Sequence, residues 1–246
     1  LRFGSYVDDL LVDKVTNNDL CKNLYVVYDD NKPTATLGIL CDIIIDNYDS
    51  IPDKNTVLKI VKHNAFWSST KLDEKLIANF DKDEFWNYIK IKFETKDKVV
   101  VTQKESQDGE ECVDLLLNHK HTHHLFNNDF ENHYQFKFEY YYKGFHLRGI
   151  IDKMSIDHEN KIVYMEDIKT GSSRADEFTK SFIKYCYYFQ EAVYSKAFDS
   201  ICEQLGLVGY TLAPFKFIFV GRGEKVPHIF EISDKWHNAA INGFTT

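Results

Sequence analysis

Two aspartates and a lysine could do chemistry together in this sequence: Asp152, Asp167 and Lys169, all within the stretch Arg148 to Thr170, RGIIDKMSIDHENKIVYMEDIKT. Val, Ile, Met and Tyr dominate its two halves, and the polar run Asp157-His158-Glu159-Asn160-Lys161 separates them, which is the pattern of a β-hairpin. With Glu159 and Asn160 at the centre of the turn, Asp152 falls opposite Asp167, Met154 opposite Met165 and Ile156 opposite Val163. Side chains alternate along a strand, so Asp152, Met154, Ile156, Val163, Met165, Asp167 and Lys169 share one face. Glu166 turns the other way with Tyr164 and Ile168. A slip of one residue would part the two aspartates, so the chemistry depends on this register.

Facing carboxylates raise each other's pKa unless a cation sits between them. Hard oxygen ligands with room for water suit Mg²⁺ or Mn²⁺. Lys169, on the same face, can orient or deprotonate an attacking water, or stabilise developing negative charge. Asp-(hairpin)-Asp-x-Lys is therefore a pattern for phosphodiester cleavage; the competing reading is a surface hairpin with ordinary charges.

The neighbouring elements must hold that hairpin. Tyr134 to Tyr142 and Phe145 to Ile151 alternate around Gly144 and predict strands leading into it. Thr170-Gly171-Ser172-Ser173 predicts a loop, and Ala175 to Leu205 one long helix whose stripe Phe178, Phe182, Tyr185, Cys186, Phe189 and Val193 faces the sheet. Gln190 and Tyr194, four apart, project together from it. FKFIFV and HIFEIS predict two closing strands, and the tail from Asp234 a helix. At the other end, Leu1 to Asp13 predicts a helix capped by Ser5, with Asp8 and Asp9 in its first turn and Val7, Leu10 and Leu11 as its apolar stripe. LYVVY and TLGILCDIII predict two extended runs broken by a turn at Asp29 to Pro33. From about 54 to 126 apolar residues recur three and four apart, predicting a helical insert. His119, His121, His123 and His124 crowd the polar end of its last helix and lack a second ligand group at a fitting distance in sequence, so a solvated helix end is preferred to a metal cluster.

With 246 residues, 43% of them hydrophobic, the chain can bury a full core as one large α/β domain or one with a helical elaboration. A net charge of −8 lacks the basic footprint of a non-specific nucleic-acid binder, although a local basic rim can coexist with an acidic total. No apolar run approaches membrane-spanning length. Five scattered cysteines without zinc or iron–sulfur spacing fit a reduced, cytoplasmic setting. The opening on Leu1, without an initiator Met or signal-peptide pattern, is read as a trimmed chain or fragment.

Gly149-Ile150-Ile151-Asp152, Asp167-Ile168-Lys169-Thr170 and Gln190-Glu191-Ala192-Val193-Tyr194 together resemble the G-x-x-D, D-x-K-T and Q-x-x-x-Y signatures of the PD-(D/E)XK nucleases, in the branch of RecB-type and RecE-type exonucleases and their phage relatives. Phe3-Gly4-Ser5-Tyr6-Val7-Asp8 resembles the opening helix of phage members, with Asp8 where they carry a metal-binding histidine. The resemblance implies a restriction-endonuclease-like core, a central mixed sheet flanked by helices, spanning about 134–233 of a single domain with the helical insert at about 54–126. It implies that Asp152, Asp167 and the main-chain carbonyl of Ile168 hold Mg²⁺ or Mn²⁺, with Asp8 as a further ligand. It also implies that Lys169 positions the attacking water and that Gln190 and Tyr194 hold the helix against the site or contact DNA. The implied activity is metal-dependent DNA hydrolysis, as an exonuclease in phage or bacterial recombination or repair. An endonuclease of the same fold and an inactive DNA-binding or assembly module are the alternatives. DNA is the implied partner; a homo-oligomer or a recombination or annealing protein stays open beside it.

Overall fold

The computed structural model describes residues 3–30, 32–63, 78, 83–171 and 174–245. In chain order these form helices α1 (Phe3–Thr16) and α2 (Leu20–Leu24), strand β1 (Tyr25–Tyr28), helices α3 (Ala35–Asn47), α4 (Lys54–His63) and α5 (Asp83–Glu94), strand β2 (Val99–Thr102) and helix α6 (Gln103–Asn118). Strands β3 (Glu131–Tyr142), β4 (Phe145–Asp157) and β5 (Ile162–Gly171) follow, then helices α7 (Phe178–Lys184) and α8 (Tyr187–Leu205), strands β6 (Thr211–Leu212), β7 (Lys216–Gly221) and β8 (His228–Glu231), and helix α9 (Asp234–Thr245). The chain divides into two compact units, residues 1–18 with 108–246 and residues 19–107.

The first unit is a mixed sheet flanked by helices. Its strand order is β3-β4-β5-β7-β8, with β6 beside the start of β5. The pairs β3–β4, β4–β5 and β7–β8 are antiparallel, whereas β5 and β7 run parallel, with α7 and α8 in the connection between them. The hairpin register matches the sequence expectation: Met154 pairs with Met165 and Ile156 with Val163, and the ladder reaches Lys153 with Glu166 beside the two aspartates. Buried Met154, Ile156, Val163 and Met165 join Phe178, Phe182, Ala197, Ile201 and Phe217 in one core. Aromatic rings fill much of it: Phe178 stacks on Phe230 at 4.3 Å and meets Phe217 at 5.9 Å and Phe219 at 5.7 Å. On the opposite face Lys153 and Glu166 form a fully buried ion pair of 2.8 Å, and the Lys153 ammonium also donates to Ser155.

The expected long helix is broken. A 3-10 turn (Ala175–Glu177) leads into α7, and Cys186 adopts φ 55° before α8 begins. Phe178 and Phe182 face the sheet as expected, but Tyr185, Cys186 and Phe189 are exposed, because the break rotates α8 relative to α7. From there the buried positions are Glu191, Ala192, Tyr194, Ala197 and Ile201.

The second unit packs Leu40, Cys41 and Ile44 of α3 against Val57 and Val61 of α4 and Phe85 and Ile89 of α5. TLGILCDIII is thus helical and not extended: it follows Pro33, and the Gly38 amide already donates to the Thr34 carbonyl at 2.8 Å. Burial at 40, 41 and 44 is helical spacing, which the continuous apolar run concealed. Within the expected helical insert lies a strand, Val99–Thr102, which pairs in parallel with β1. Its last residue opens the next helix: Thr102 Oγ1 accepts from the Glu105 amide at 3.1 Å and Glu105 accepts from the Thr102 amide at 2.9 Å, a reciprocal cap. Of the expected helical insert, residues 64–77 and 79–82 lie outside the described residues.

Candidate active site

Three elements of the first unit bring the acidic side chains together. β4 carries Asp152, β5 carries Asp167 and Lys169, and α1 carries Asp8. Helix α1 starts at Phe3, so Ser5 lies inside it and Asp8 and Asp9 sit beyond its first turn. Tyr6, Val7, Leu10 and Leu11 bury one face. Two glycines let that helix approach closely: a Cβ on Gly4 would stand 3.2 Å from Thr170 Oγ1, and one on Gly109 would stand 2.7 Å from the Tyr6 ring. Asp8 is consequently held beside the sheet and not spent on the helix dipole.

Its Oδ1 is sealed from solvent and has no hydrogen-bond partner. Burial first, then the charges of Asp152 and Asp167, push the Asp8 carboxyl from 3.8 up to about 9. Asp167 is buried and rises to about 7 through burial and the Asp152 charge, offset by Lys169 and Gln190. Asp152 is raised by burial, against the Ile168 amide, Lys169, Gln135 and a shared hydrogen bond with Asp167. The three carboxyls therefore occupy one desolvated space that disfavours their combined negative charge.

Protein donors fill part of that space. Asp152 Oδ2 accepts from the Ile168 amide at 2.8 Å and Oδ1 from Gln135 Nε2 at 3.3 Å. Asp167 Oδ1 accepts from Gln190 Nε2, and Oδ2 contacts the Lys169 ammonium. Lys169 also donates to Gln190 Oε1 at 3.1 Å and lies over the Tyr187 ring at 4.6 Å. Gln190 Nε2 reaches Tyr194 Oη at 2.9 Å, and that hydroxyl donates to the Ile150 carbonyl at 2.6 Å. Gln190 is thereby the hub between β5, α8 and β4. Gly149 makes room for this: a Cβ there would stand 2.6 Å from the Phe138 ring and 3.3 Å from that of Tyr194.

The structure brings Asp8, Asp152, Asp167, Lys169, Gln190 and Tyr194 into one neighbourhood, and Ile168 presents its amide N–H to Asp152. Among the described residues no three His, Cys, Asp or Glu side chains stand at ligating distances of one ion. That includes the histidines after α6, of which His119 and His121 meet edge to edge at 4.7 Å. In donor type, however, three desolvated carboxylates with an orphaned oxygen match a hard divalent cation. Sequence reasoning missed Gln135 and Tyr187. Gln135 holds φ 51° inside β3, between the paired Tyr134 and Phe136, and donates to Asp152; no residue pattern signals that. Tyr187 follows the helix break that was itself unforeseen.

No protein-family model matches the sequence, and no curated protein matches it. Among solved structures, one from Eubacterium rectale with a provisional exonuclease description aligns at 15% identity and a TM-score of 0.42, covering 91% of this chain and 78% of that one. A likeness of that degree bears on no functional question here. No helix among the described residues is long and apolar enough to cross a membrane, and Cys41, Cys112, Cys186 and Cys202 are free thiols.

Proposed function

We propose that the protein is a divalent-metal-dependent nuclease that hydrolyses DNA phosphodiester bonds at the Asp8–Asp152–Asp167–Lys169 cluster. The observation that carries this reading is the crowding of one buried carboxylate, Asp167, and two half-buried ones, Asp8 and Asp152, around one lysine, with Asp8 Oδ1 itself sealed from solvent and left without a partner. Buried like charges persist where a cation offsets them. Asp8, Asp152 and Asp167 are the residues that would hold Mg²⁺ or Mn²⁺, the ion supplying positive charge against the phosphate oxygens. Lys169, steadied by Gln190 and the Tyr187 face, keeps an ammonium at the edge of the cluster, where it can orient a water and oppose charge building on the phosphate. Tyr194 fixes the height of α8 over the sheet through the Ile150 carbonyl. The sequence signatures extend this reading to an exonuclease of recombination or repair.

The test is digestion of end-labelled linear duplex, single-stranded and closed circular DNA with Mg²⁺, with Mn²⁺ and with chelator. Loss of label from linear DNA with closed circles left intact, abolished by chelator, is the expected outcome. Cleavage of circles identifies an endonuclease, and absence of cleavage under every condition overturns the reading.

A further inference from the structure

Strand β4 changes the face it shows to the core at Asp152. Ile151 and Met154 belong to the same buried cluster although they stand three apart, and a regular strand returns to one face only at every second residue. Strand β3 changes face at the matching place: His133 pairs with Met154, yet from Phe136 onward it is Phe136, Phe138 and Tyr140 that meet that cluster. The register is the same on both sides of the change, with Tyr134 opposite Lys153 and Phe136 opposite Ile151. Gln135 and Asp152, between those pairs, drop out of the ladder.

Gln135 makes the switch with φ 51°. Glycine adopts that left-handed conformation without strain, whereas a glutamine pays for its Cβ and has no short polar group to compensate locally. A strained residue that persists beside a cluster of functional groups points to a role for its side chain. What glutamine brings that glycine lacks is an amide. Its Nε2 donates to Asp152 Oδ1 at 3.3 Å, and the Ile168 amide donates to Oδ2 at 2.8 Å. Because β4 lies between β3 and β5, the carboxylate is held from both neighbouring strands, one oxygen by each. Each oxygen keeps a further lone pair for a cation.

We infer that Gln135 is a positioning residue: its amide fixes the plane of the Asp152 carboxylate and so prepares it to ligate a divalent cation. Donors behind a metal-ligating carboxylate orient it, and their loss lowers ion affinity about 10–100-fold. The inference rests on the metal-dependent reading of the cluster for the cation, but not for the hold on Asp152. If the left-handed turn alone mattered, glycine at this position would serve as well or better.

Comparison of wild type with Gln135→Gly and Gln135→Ala separates the side chain from the turn. Gln135→Gly keeps the turn and relieves its strain, so its urea midpoint should exceed that of Gln135→Ala. Both variants should nevertheless bind Mn²⁺ at least about tenfold more weakly than wild type, measured by calorimetry without DNA. In EDTA, hydrogen exchange of the Ile168 amide, followed by NMR, should quicken in both variants while the amides of β7 stay as protected as before. A Gln135→Gly protein that binds Mn²⁺ as tightly as wild type overturns the inference and leaves the turn as the reason for the conformation. Unchanged exchange at Ile168 in both variants overturns it as well. A wild type that binds no Mn²⁺ but whose Ile168 protection depends on Gln135 would instead sink the metal-dependent reading and leave the hold on Asp152 established.

Discussion

Replacing Asp8 by asparagine should make the metal-free protein more stable at neutral pH. Burial and the neighbouring carboxylates raise the Asp8 pKa from 3.8 to about 9. Because folding raises this pKa, the group's contribution to stability is complete below about pH 4 and is lost progressively as the pH climbs from there to about 9. At pH 7 the folded chain must keep a proton that the unfolded chain released about three units lower. At ~1.4 kcal/mol per unit this is a penalty of roughly 4 kcal/mol, and an upper bound, because Asp152 and Asp167 titrate in the same space. Asparagine keeps the shape and removes the charge. Urea unfolding in EDTA, with hydrogen exchange along Ile162–Gly171 as a local readout, should show the variant ahead by up to ~4 kcal/mol at pH 7 and by only about 1 kcal/mol at pH 4.5. Millimolar Mg²⁺ should narrow or reverse the order, since wild type gains a bound ion and the variant loses a ligand. A variant no more stable than wild type at pH 7, or an advantage that grows as the pH falls, would refute the reasoning.

Three further outcomes follow from contacts in the same unit. Gly149→Ala drives a methyl against Phe138 and Tyr194 and should lower stability by about 1–3 kcal/mol, measured by urea midpoint. Tyr194→Phe leaves the Ile150 carbonyl and Gln190 without their hydroxyl partner, at about 1–3 kcal/mol, and should slow cleavage more than it weakens DNA binding. Glu166→Gln strands the fully buried Lys153 ammonium and should be the most damaging of these, by about 3–5 kcal/mol, read from the thermal midpoint in chelator.

The hairpin and its register were legible because the turn residues and a period-two pattern on both sides of them leave few pairings. The opening helix was legible in its apolar stripe, although its start, and hence the place of Asp8, was not: Gly4 and Ser5 look like a cap but lie inside it. Where apolar residues run without interruption the period is hidden, and the sequence of α3 reads as a strand. Two short parallel strands, β1 and β2, depend on a pairing between residues more than seventy apart, and Val99–Thr102 carries no sign of its partner. The break at Cys186 places a non-glycine residue at positive φ, which composition does not announce, and it decides that Gln190 and Tyr187 face Lys169. Likewise, Lys153 reads as a surface charge until its pairing with Glu166 buries it.

The most direct test of the central claim compares wild type, Asp167→Asn and Lys169→Ala on end-labelled linear DNA in Mg²⁺, with circular dichroism to confirm that each is folded. Wild type should cleave in a chelator-sensitive manner, and both variants should lose cleavage while keeping the fold. Undiminished cleavage by either folded variant would contradict the assignment of the carboxylate cluster and its lysine as the site of chemistry.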